Sequence, residues 1–270
     1  MQARLLSLAG RAFSGLMLVA LYLFLYAPIF YIIYQSFSKS IAWPFPFKFS
    51  LRGYELLWVG RTYHEALYNS LLLGLGSALV STFFATLGSM AVLKYRSRWR
   101  RVIVMTYLCP LFVANLLIGV SSLIFNRQVL DLPGNMVSAV IANALPGTAF
   151  AFLIMLAQLV RYDWRMDEAA SVFGARPLRC FWEITLPNIW PAMLGAFIIS
   201  FILAFNNLDI SFYNLGATQT LPSVAWGSLR HGLGPELPAL AALVNGVVFI
   251  VFVSMYLLMR YRIFSFGHRE

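Results

Sequence analysis

Of 270 residues, 60% are hydrophobic and 11% charged, and the mean hydropathy is +0.76. That leaves too little polar surface to clothe a soluble core of this length, so a water-soluble globular protein is excluded. The formal net charge of +10 calls for no nucleic acid, because its densest run, Lys94 to Arg101, reads as a topology determinant beside anionic membrane lipid.

About 20 apolar residues per crossing, joined by short loops, predict one all-α polytopic membrane domain over residues 1–270 with about six transmembrane helices. The first run, Phe13 to Tyr34, follows Arg4 and Arg11 and outlasts a crossing without a small-residue cleavage pattern, so it is expected to stay as the first helix, kinked at Pro28. A longer loop follows, Phe37 to Glu65, whose Trp43-Pro44-Phe45-Pro46 and Trp58 suit an aromatic interface belt or the surface for a docked protein. The second run, Leu67 to Leu93, carries Gly74, Gly76, Ala78, Gly88 and Ala91, which permit close helix packing. The third covers Val102 to Phe125 and the fourth Met136 to Val160, with breaks expected at Pro110 and Pro146.

Between the fourth and fifth runs lies a charged, helix-prone island, Asp163 to Pro191. Asp163 suits an N-cap, Trp164 to Phe173 follow without a breaker, and Gly174 sits where a left-handed C-terminal residue is wanted. Pro177 suits the first position of a second short helix running through Phe181 and Ile184 until Leu186-Pro187 stops it. Ala169 and Ala170 leave the backbone bare for a partner to approach, while Met166 and Phe173 are apolar anchors on a helix otherwise in water. Such a helix is a plug for a groove. Glu168, near its start, is favoured there by the helix macrodipole.

The fifth run begins near Trp190 and reaches Tyr213, and the sixth spans Ala239 to Tyr261. The fifth holds the densest set of intramembrane polar residues, Asn206, Asn207 and Asp209, followed by Ser211, Tyr213 and Asn214. Asn206 and Asp209, three apart, are expected to share a helix face and to present an amide and a carboxylate to a passing solute. The other reading is that the asparagines bond to adjacent helices or a partner subunit and Asp209 surfaces at the interface.

Charge placement gives an orientation. Arg4, Arg11, Lys94, Arg96, Arg98, Arg100, Arg101, Arg161, Arg165, Arg176, Arg179, Arg260, Arg262 and Arg269 fall on one side of a six-helix arrangement, fourteen of twenty basic residues. That side is expected to be the cytoplasm, with both termini and the island inside. Cys109 and Cys180 are too differently placed to pair, and His64, His231 and His268 lack ligand spacing, so no metal site and no catalytic cluster is expected. There is no G-x-x-x-x-G-K-[ST] loop, so the chain is not expected to hydrolyse ATP alone.

Glu168-Ala169-Ala170, three residues, Gly174, nine residues, Ile184, one residue and Leu186-Pro187 resembles the EAA loop of permease subunits in binding-protein-dependent type I ABC importers. The resemblance implies a MetI-like all-α fold with an importer core over about 60–260. Its coupling loop would be residues 161–190, in which Met166, Glu168, Ala169, Ala170, Phe173, Gly174, Ile184, Leu186 and Pro187 meet a cytoplasmic ATPase. It implies a second permease, identical or homologous, two ATPase subunits that hold ATP and Mg, and an extracytoplasmic solute-binding protein. This chain would bind no cofactor of its own and sit in the bacterial inner membrane.

A second pattern is similar, in order and spacing, to the end of spermidine/putrescine permeases: Ala204-Phe205-Asn206-Asn207, Ser211-Phe212, Gly216, Thr220-Leu221-Pro222, Arg230-x-Gly232 and Pro235-Glu236-x-x-Ala239-Leu240-Ala241. It implies a polyamine-type solute and a pathway that includes Asn206, Asn207, Asp209 and Tyr213. Those permeases commonly carry a pair of aspartates where this chain has Asn206-Asn207, so an amino-acid derivative, opine or phosphonate stays open as the solute. A stand-alone secondary transporter is the competing class; it is opposed by the lack of a clear internal repeat or a multi-carboxylate ion relay.

Overall fold

The computed structural model describes residues 2–39, 47–94, 99–232 and 234–260. Trp43 to Pro46, Arg96, Arg98, Arg262, His268 and Arg269 lie outside them. The described residues form helices α1 (Gln2–Ser36), α2 (Arg52–Val59), α3 (Arg61–Leu93), α4 (Arg100–Leu108), α5 (Asn115–Gln128) and α6 (Met136–Arg161), then α7 (Arg165–Val172), α8 (Pro177–Cys180), α9 (Leu186–Phe205), α10 (Asp209–Asn214), α11 (Leu221–His231) and α12 (Glu236–Arg260). They group into two compact units, Met1–Arg61 with Ala225–Glu270, and Thr62–Val224.

In the first unit α12 packs against α1 and α2. The loop after α1 is tied by Lys39 N–H to the Lys48 carbonyl (2.9 Å) and Ser50 N–H to the Phe37 carbonyl (2.8 Å), with the Phe37 ring between Phe49 and Tyr54. Trp58 of α2 is exposed. Pro28 lies inside α1, which is exposed from Phe13 to Pro28, as suits a lipid-facing or partner-facing stretch, and becomes half-buried from Ile32 to Gln35.

The second unit is organised by α3, α6 and α9. With no water in hydrocarbon, a serine hydroxyl must find an acceptor inside the protein. Ser77, Ser81 and Ser89 of α3 donate to the carbonyls of Val140, Ala144 and Phe152 of α6, at 3.4, 3.1 and 3.4 Å. Each pair is separated by 63 residues, so the two helices run parallel and in register. The chain between them must therefore cross back once. Neither α4 nor α5 can do so alone, since 14 residues of helix reach only about 21 Å of a roughly 30 Å core. They act as one crossing bent by 110°. The bend follows from Pro110, which has no N–H to give: a 3-10 turn, Cys109–Phe112, ends in an extended Val113. Among the described residues four helices are long and apolar enough to cross a membrane, the bent pair taken as one span brings these to five, and the 25-residue α12 leaves six compatible with the fold.

Two expectations about proline, and one about the fifth crossing, need correction. Pro146 does not break the fourth helix: it lies buried inside a continuous α6. Leu186-Pro187 does not stop the second helix of the island, because Pro177 to Phe205 forms one apolar span. A π-turn, Phe181–Thr185, lets the Leu186 N–H reach the Phe181 carbonyl five residues back and gives the Pro187 ring room at the start of α9. The fifth crossing accordingly begins well before Trp190, and it ends at Phe205 instead of Tyr213, since Asn206 to Leu208 are not helical.

Small residues set the closeness of packing. The Gly74 Cα faces the Phe201 ring and Gly88 faces the Tyr107 ring, while Ala78 is fully buried, as the sequence predicts. Tyr107 stacks on Phe152 (4.5 Å) and donates to the Phe84 carbonyl (3.0 Å). Gly147 is where three helices converge: Ser200 of α9 donates to its carbonyl (3.1 Å), and an added Cβ would stand 2.5 Å from Ser81 Oγ of α3. Gly147→Ala is expected to cost the Ser81 hydrogen bond, on the order of 1 kcal/mol, and Gly147→Leu about 3 kcal/mol by overpacking. Gly195, with nothing within 4 Å, should accept leucine. Thermal unfolding in detergent checks this; equal melting points for Gly147→Leu and Gly195→Leu would refute the three-helix contact.

Candidate functional site

The island between α6 and α9 folds as an elbow of two short helices. Asp163 Oδ1 accepts from the Arg165 N–H (3.1 Å), just ahead of α7, so this aspartate opens the helix from one position further out than a true N-cap. At the other end Gly174 has φ +83°, with its N–H on the Ser171 carbonyl (3.0 Å) and the Ala175 N–H on the Ala170 carbonyl (3.0 Å). These two bonds form a Schellman motif, which only a residue at ease in the left-handed region closes without strain. Pro177 then starts α8, as its fixed φ and missing N–H allow.

The predicted coupling residues divide by exposure. Met166, Glu168, Ala169, Phe173, Gly174 and Pro187 are exposed, and Ala170, Ile184 and Leu186 are half-buried. Phe173, 91% exposed, is an aromatic ring standing in the open beside Val172. Met166 and Phe173, seven apart, share the outward side of the elbow.

What holds the elbow was not among the predicted residues. Asp167, next to Glu168, is 7% exposed, and its carboxylate gathers three groups from three helix ends. Lys94 Nζ, just past the end of α3, donates to Asp167 Oδ2 at 2.7 Å. The Tyr162 hydroxyl, at the end of α6, donates to Oδ1 at 2.6 Å. Thr185 Oγ1, in the π-turn before α9, donates to Oδ1 and Oδ2 at 3.1 and 3.3 Å. The buried Cys180 thiol points at the Asp167 backbone carbonyl, 3.9 Å away. Lys94 also lies 5.5 Å over the Trp164 ring, which stands edge-on to Tyr162. Burial by itself would push the Asp167 carboxyl up, but the bonds from Lys94, Tyr162 and Thr185, with the Lys94 charge, hold it below the ordinary carboxylate value. Tyr162 responds in the opposite sense: burial, then the bond to Asp167, push its phenol up, so it stays a donor. The exposed Arg179–Glu183 pair, at 2.9 Å, adds little to this.

The predicted pathway residues lie at the other end of the same unit. Asn206 and Asp209 do not share a helix face, which corrects the sequence expectation: α9 ends at Phe205 and α10 begins at Asp209. Asn206 is exposed, its Nδ2 folded onto the Ile202 carbonyl (3.0 Å). Half-buried Asn207 uses its Oδ1 to accept from the Ile210 N–H (3.0 Å), which caps the start of α10. Asp209 is exposed in the first turn of α10, where the macrodipole favours an anion. Tyr213 is half-buried, its ring close to Gly119.

A six-residue helix is too short to stand alone, and α10 is fixed by a buried amide network. Asn214 Nδ2 donates to the Gly119 carbonyl and Ser122 Oγ, both at 3.1 Å, and its Oδ1 accepts from Asn126 Nδ2 at 3.3 Å. Asn126 Nδ2 also bonds Ser138 Oγ (2.7 Å), and Asn143 Nδ2 bonds Ser211 Oγ (3.2 Å). Beside it a cleft of about 430 Å³ is lined by Glu65, Tyr68, Asn69 and Gln219, among others, with Asn69 Nδ2 on the Gln219 carbonyl (3.0 Å). Asn126, Ser138 and Asn143 were missed because isolated asparagines and serines in apolar runs carry no motif; the usable signal was that polar groups in lipid demand partners.

The chain also resembles known transport proteins. The Escherichia coli K12 putrescine transport system permease protein PotI is 29% identical over 88% of this chain and 87% of its own length. The spermidine/putrescine transport system permease protein PotC of the same organism is 25% identical over 93% and 95%. The putative 2-aminoethylphosphonate transport system permease protein PhnV of Salmonella typhimurium is 25% identical over 82% and 81%. In fold, the chain matches a crystal structure of a bacterial ABC transporter involved in import of the acidic polysaccharide alginate, with a TM-score of 0.70 over 93% of this chain and 96% of that one, at 20% identity. Residues 79–263 match the family of binding-protein-dependent transport system inner membrane components. With that match and this fold, the chain belongs to that family: it is a multi-pass inner-membrane permease subunit of an ABC importer.

Proposed function

We propose that this permease takes up a polyamine-type solute as one half of a transmembrane path, and that the elbow links that path to ATP hydrolysis on a partner. The observation that carries the coupling reading is the elbow itself: a self-capped pair of short helices that turns Met166 and Phe173 outward and is fastened inward to three membrane helices. Glu168, Ala169, Ala170, Gly174, Ile184, Leu186 and Pro187 complete its surface and its joint with α9. In this reading the elbow and both termini face the cytoplasm, and residues 1–270 act as a single permease domain. A second permease, identical or homologous, closes the path. Two ATPase subunits hold ATP and Mg, this chain holding no cofactor, and a solute-binding protein delivers cargo at the far side. ATP-driven closure of the ATPases would move the two elbows as rigid bodies and switch the path between inward and outward access.

The polyamine assignment is supported by the relatives that transport putrescine and spermidine. Asn206, Asn207, Asp209 and Tyr213 cluster around the break between α9 and α10, where side-chain amides and a carboxylate can meet an ammonium group. A second reading, a phosphonate or other anionic solute, is favoured by the neutral Asn206-Asn207 pair and by the 2-aminoethylphosphonate relative. Uptake of labelled putrescine and 2-aminoethylphosphonate by the reconstituted complex, with its binding protein and ATP, decides between them.

Phe173→Ala removes the most exposed anchor and is expected to weaken ATPase binding by about 30-fold, a loss of roughly 2 kcal/mol. Gly174→Leu strains the left-handed turn by about 1–2 kcal/mol and should cut uptake with membrane insertion unchanged. Co-purification and uptake assays check both; wild-type values in both variants would remove the elbow from the coupling path. Asp209→Asn is expected to lower the preference for a cationic over a neutral solute by about tenfold, one charge contact of roughly 1.4 kcal/mol. Competition uptake measures it, and an unchanged preference assigns Asp209 to the helix start alone.

A further inference from the structure

We propose that Asp167 is the joint through which displacement of the elbow reaches the membrane helices: its one buried carboxylate binds the ends of α3, α6 and α9 to α7 together. The proposal deepens the coupling reading and rests on it. Phe173 and Met166 concern what the elbow touches; Asp167 concerns what the elbow pulls.

The geometry is that of a shared anchor. Joined by chain connectivity alone, α7 could swing on both sides, because residues 162–164 before it and 173–176 after it are not helical, whereas α8 runs on into α9 as one span. Here Oδ2 holds Lys94 at 2.7 Å and Oδ1 holds Tyr162 at 2.6 Å, while Thr185 reaches both oxygens. The Lys94 tie matters most, since α3 has no chain connection to the elbow and lies 73 residues away in sequence. Through it a pull on α7 is transmitted to α3, and the serine ladder carries the same pull to α6 in register. Thr185 brings in α9 at a π-turn, the place on that helix where the backbone has a widened turn and can adjust. Three helices then receive one motion from one point.

The carboxylate suits this role better than a neutral group would. Bonds to an ionised acceptor are about twice as strong as neutral ones, and a carboxylate can take three or four donors at once. A buried charge that loses its partners is costly, so the joint opens only when Lys94, Tyr162 and Thr185 leave together. Asparagine at the position would keep the shape, lose the ion pair and turn one acceptor atom into a donor that faces Lys94 or Tyr162.

The test uses the full chain in lipid nanodiscs with Cys109→Ser, spin labels at Val172→Cys on the elbow and Tyr68→Cys at the far end of α3, and the distance distribution between them. Asp167→Asn is expected to broaden that distribution at least twofold, and Lys94→Gln to do the same, while Lys94→Arg keeps it narrow. In the complex with its ATPase, the change in maleimide reactivity of Tyr68→Cys on adding ATP and vanadate should fall at least fivefold in Asp167→Asn, with hydrolysis within twofold of the wild type. A part that only supported folding would lower yield and leave that response per complex unchanged. Equal widths, a broad distribution already in the wild type, or an undiminished response each overturn the proposal. If Asp167→Asn fails to insert, Lys94→Gln is read in its place. Failure of the wild-type chain to retain an ATPase would instead defeat the coupling reading, and the label widths would still decide whether Asp167 is a stiff joint.

Discussion

In hydrocarbon a hydroxyl or amide has no water to fall back on, and much of this permease's second unit follows from that constraint. The serines of α3 meet it by donating to carbonyls of α6 that already serve their own helix. Because a carbonyl has two lone pairs, the bond is added without breaking α6. Each such bond is modest, about 0.6 kcal/mol on average between membrane helices. Repeated at a fixed offset of 63 residues, they fix direction and register together. A slide of either helix by half a turn would carry all three hydroxyls off their carbonyls at once. Parallel α3 and α6 in turn dictate that the bent α4–α5 pair returns the chain, and that the ends of α3 and α6 come out beside each other.

That coincidence of ends is what lets one side chain of the elbow reach three helices at once. α3 is 33 residues long, roughly 50 Å, well over the thickness of the hydrocarbon core, so Lys94 emerges into the polar region where a charge is tolerated. Tyr162 emerges at the same level from α6, and the π-turn of α9 lies alongside. A single carboxylate on α7 can then touch all three. Desolvation would make such a buried anion unfavourable, yet one ammonium and two hydroxyls offset the cost, and the remaining exposure of Lys94, 29% of its side chain, limits it further.

Much of this was legible in the sequence, for reasons that differ between elements. The spans were visible because lipid imposes long apolar runs whatever the packing. Gly174 and Pro177 were visible because a left-handed turn and a helix start each admit few residue types. Pro146 misled because a proline inside a buried membrane helix can be accommodated by its neighbours, whereas Pro110, followed by an extended Val113, does break the chain. Leu186-Pro187 misled because a π-turn absorbs what an α-turn would reject. Asp167 was hidden beside Glu168: an acid in a first helical turn reads as a macrodipole partner, and nothing local in sequence announces a lysine 73 residues away. Asn206 and Asp209 were wrongly given a common face because α9 was read as continuing past Phe205.

The two ends of this unit are polar in different ways, and the difference bears on what each can do. At the elbow the polar core is ionic, with one carboxylate bound to one ammonium, so its strength depends on the charge being present and its geometry is stiff. At the α10 end the core is built from neutral amides and hydroxyls, Asn126, Asn143, Asn214, Ser122, Ser138 and Ser211, each able to donate and accept. Such a network can exchange partners at smaller cost than an ion pair, because no charge is stranded when a bond breaks. In the pathway reading proposed above, that chemistry would let this end change shape as a solute passes. It also leaves the position of α10 independent of any bound charge, so a contribution of this end to charge selection has to come from groups outside the network, such as Asp209 at the start of α10 and Glu65 in the neighbouring cleft.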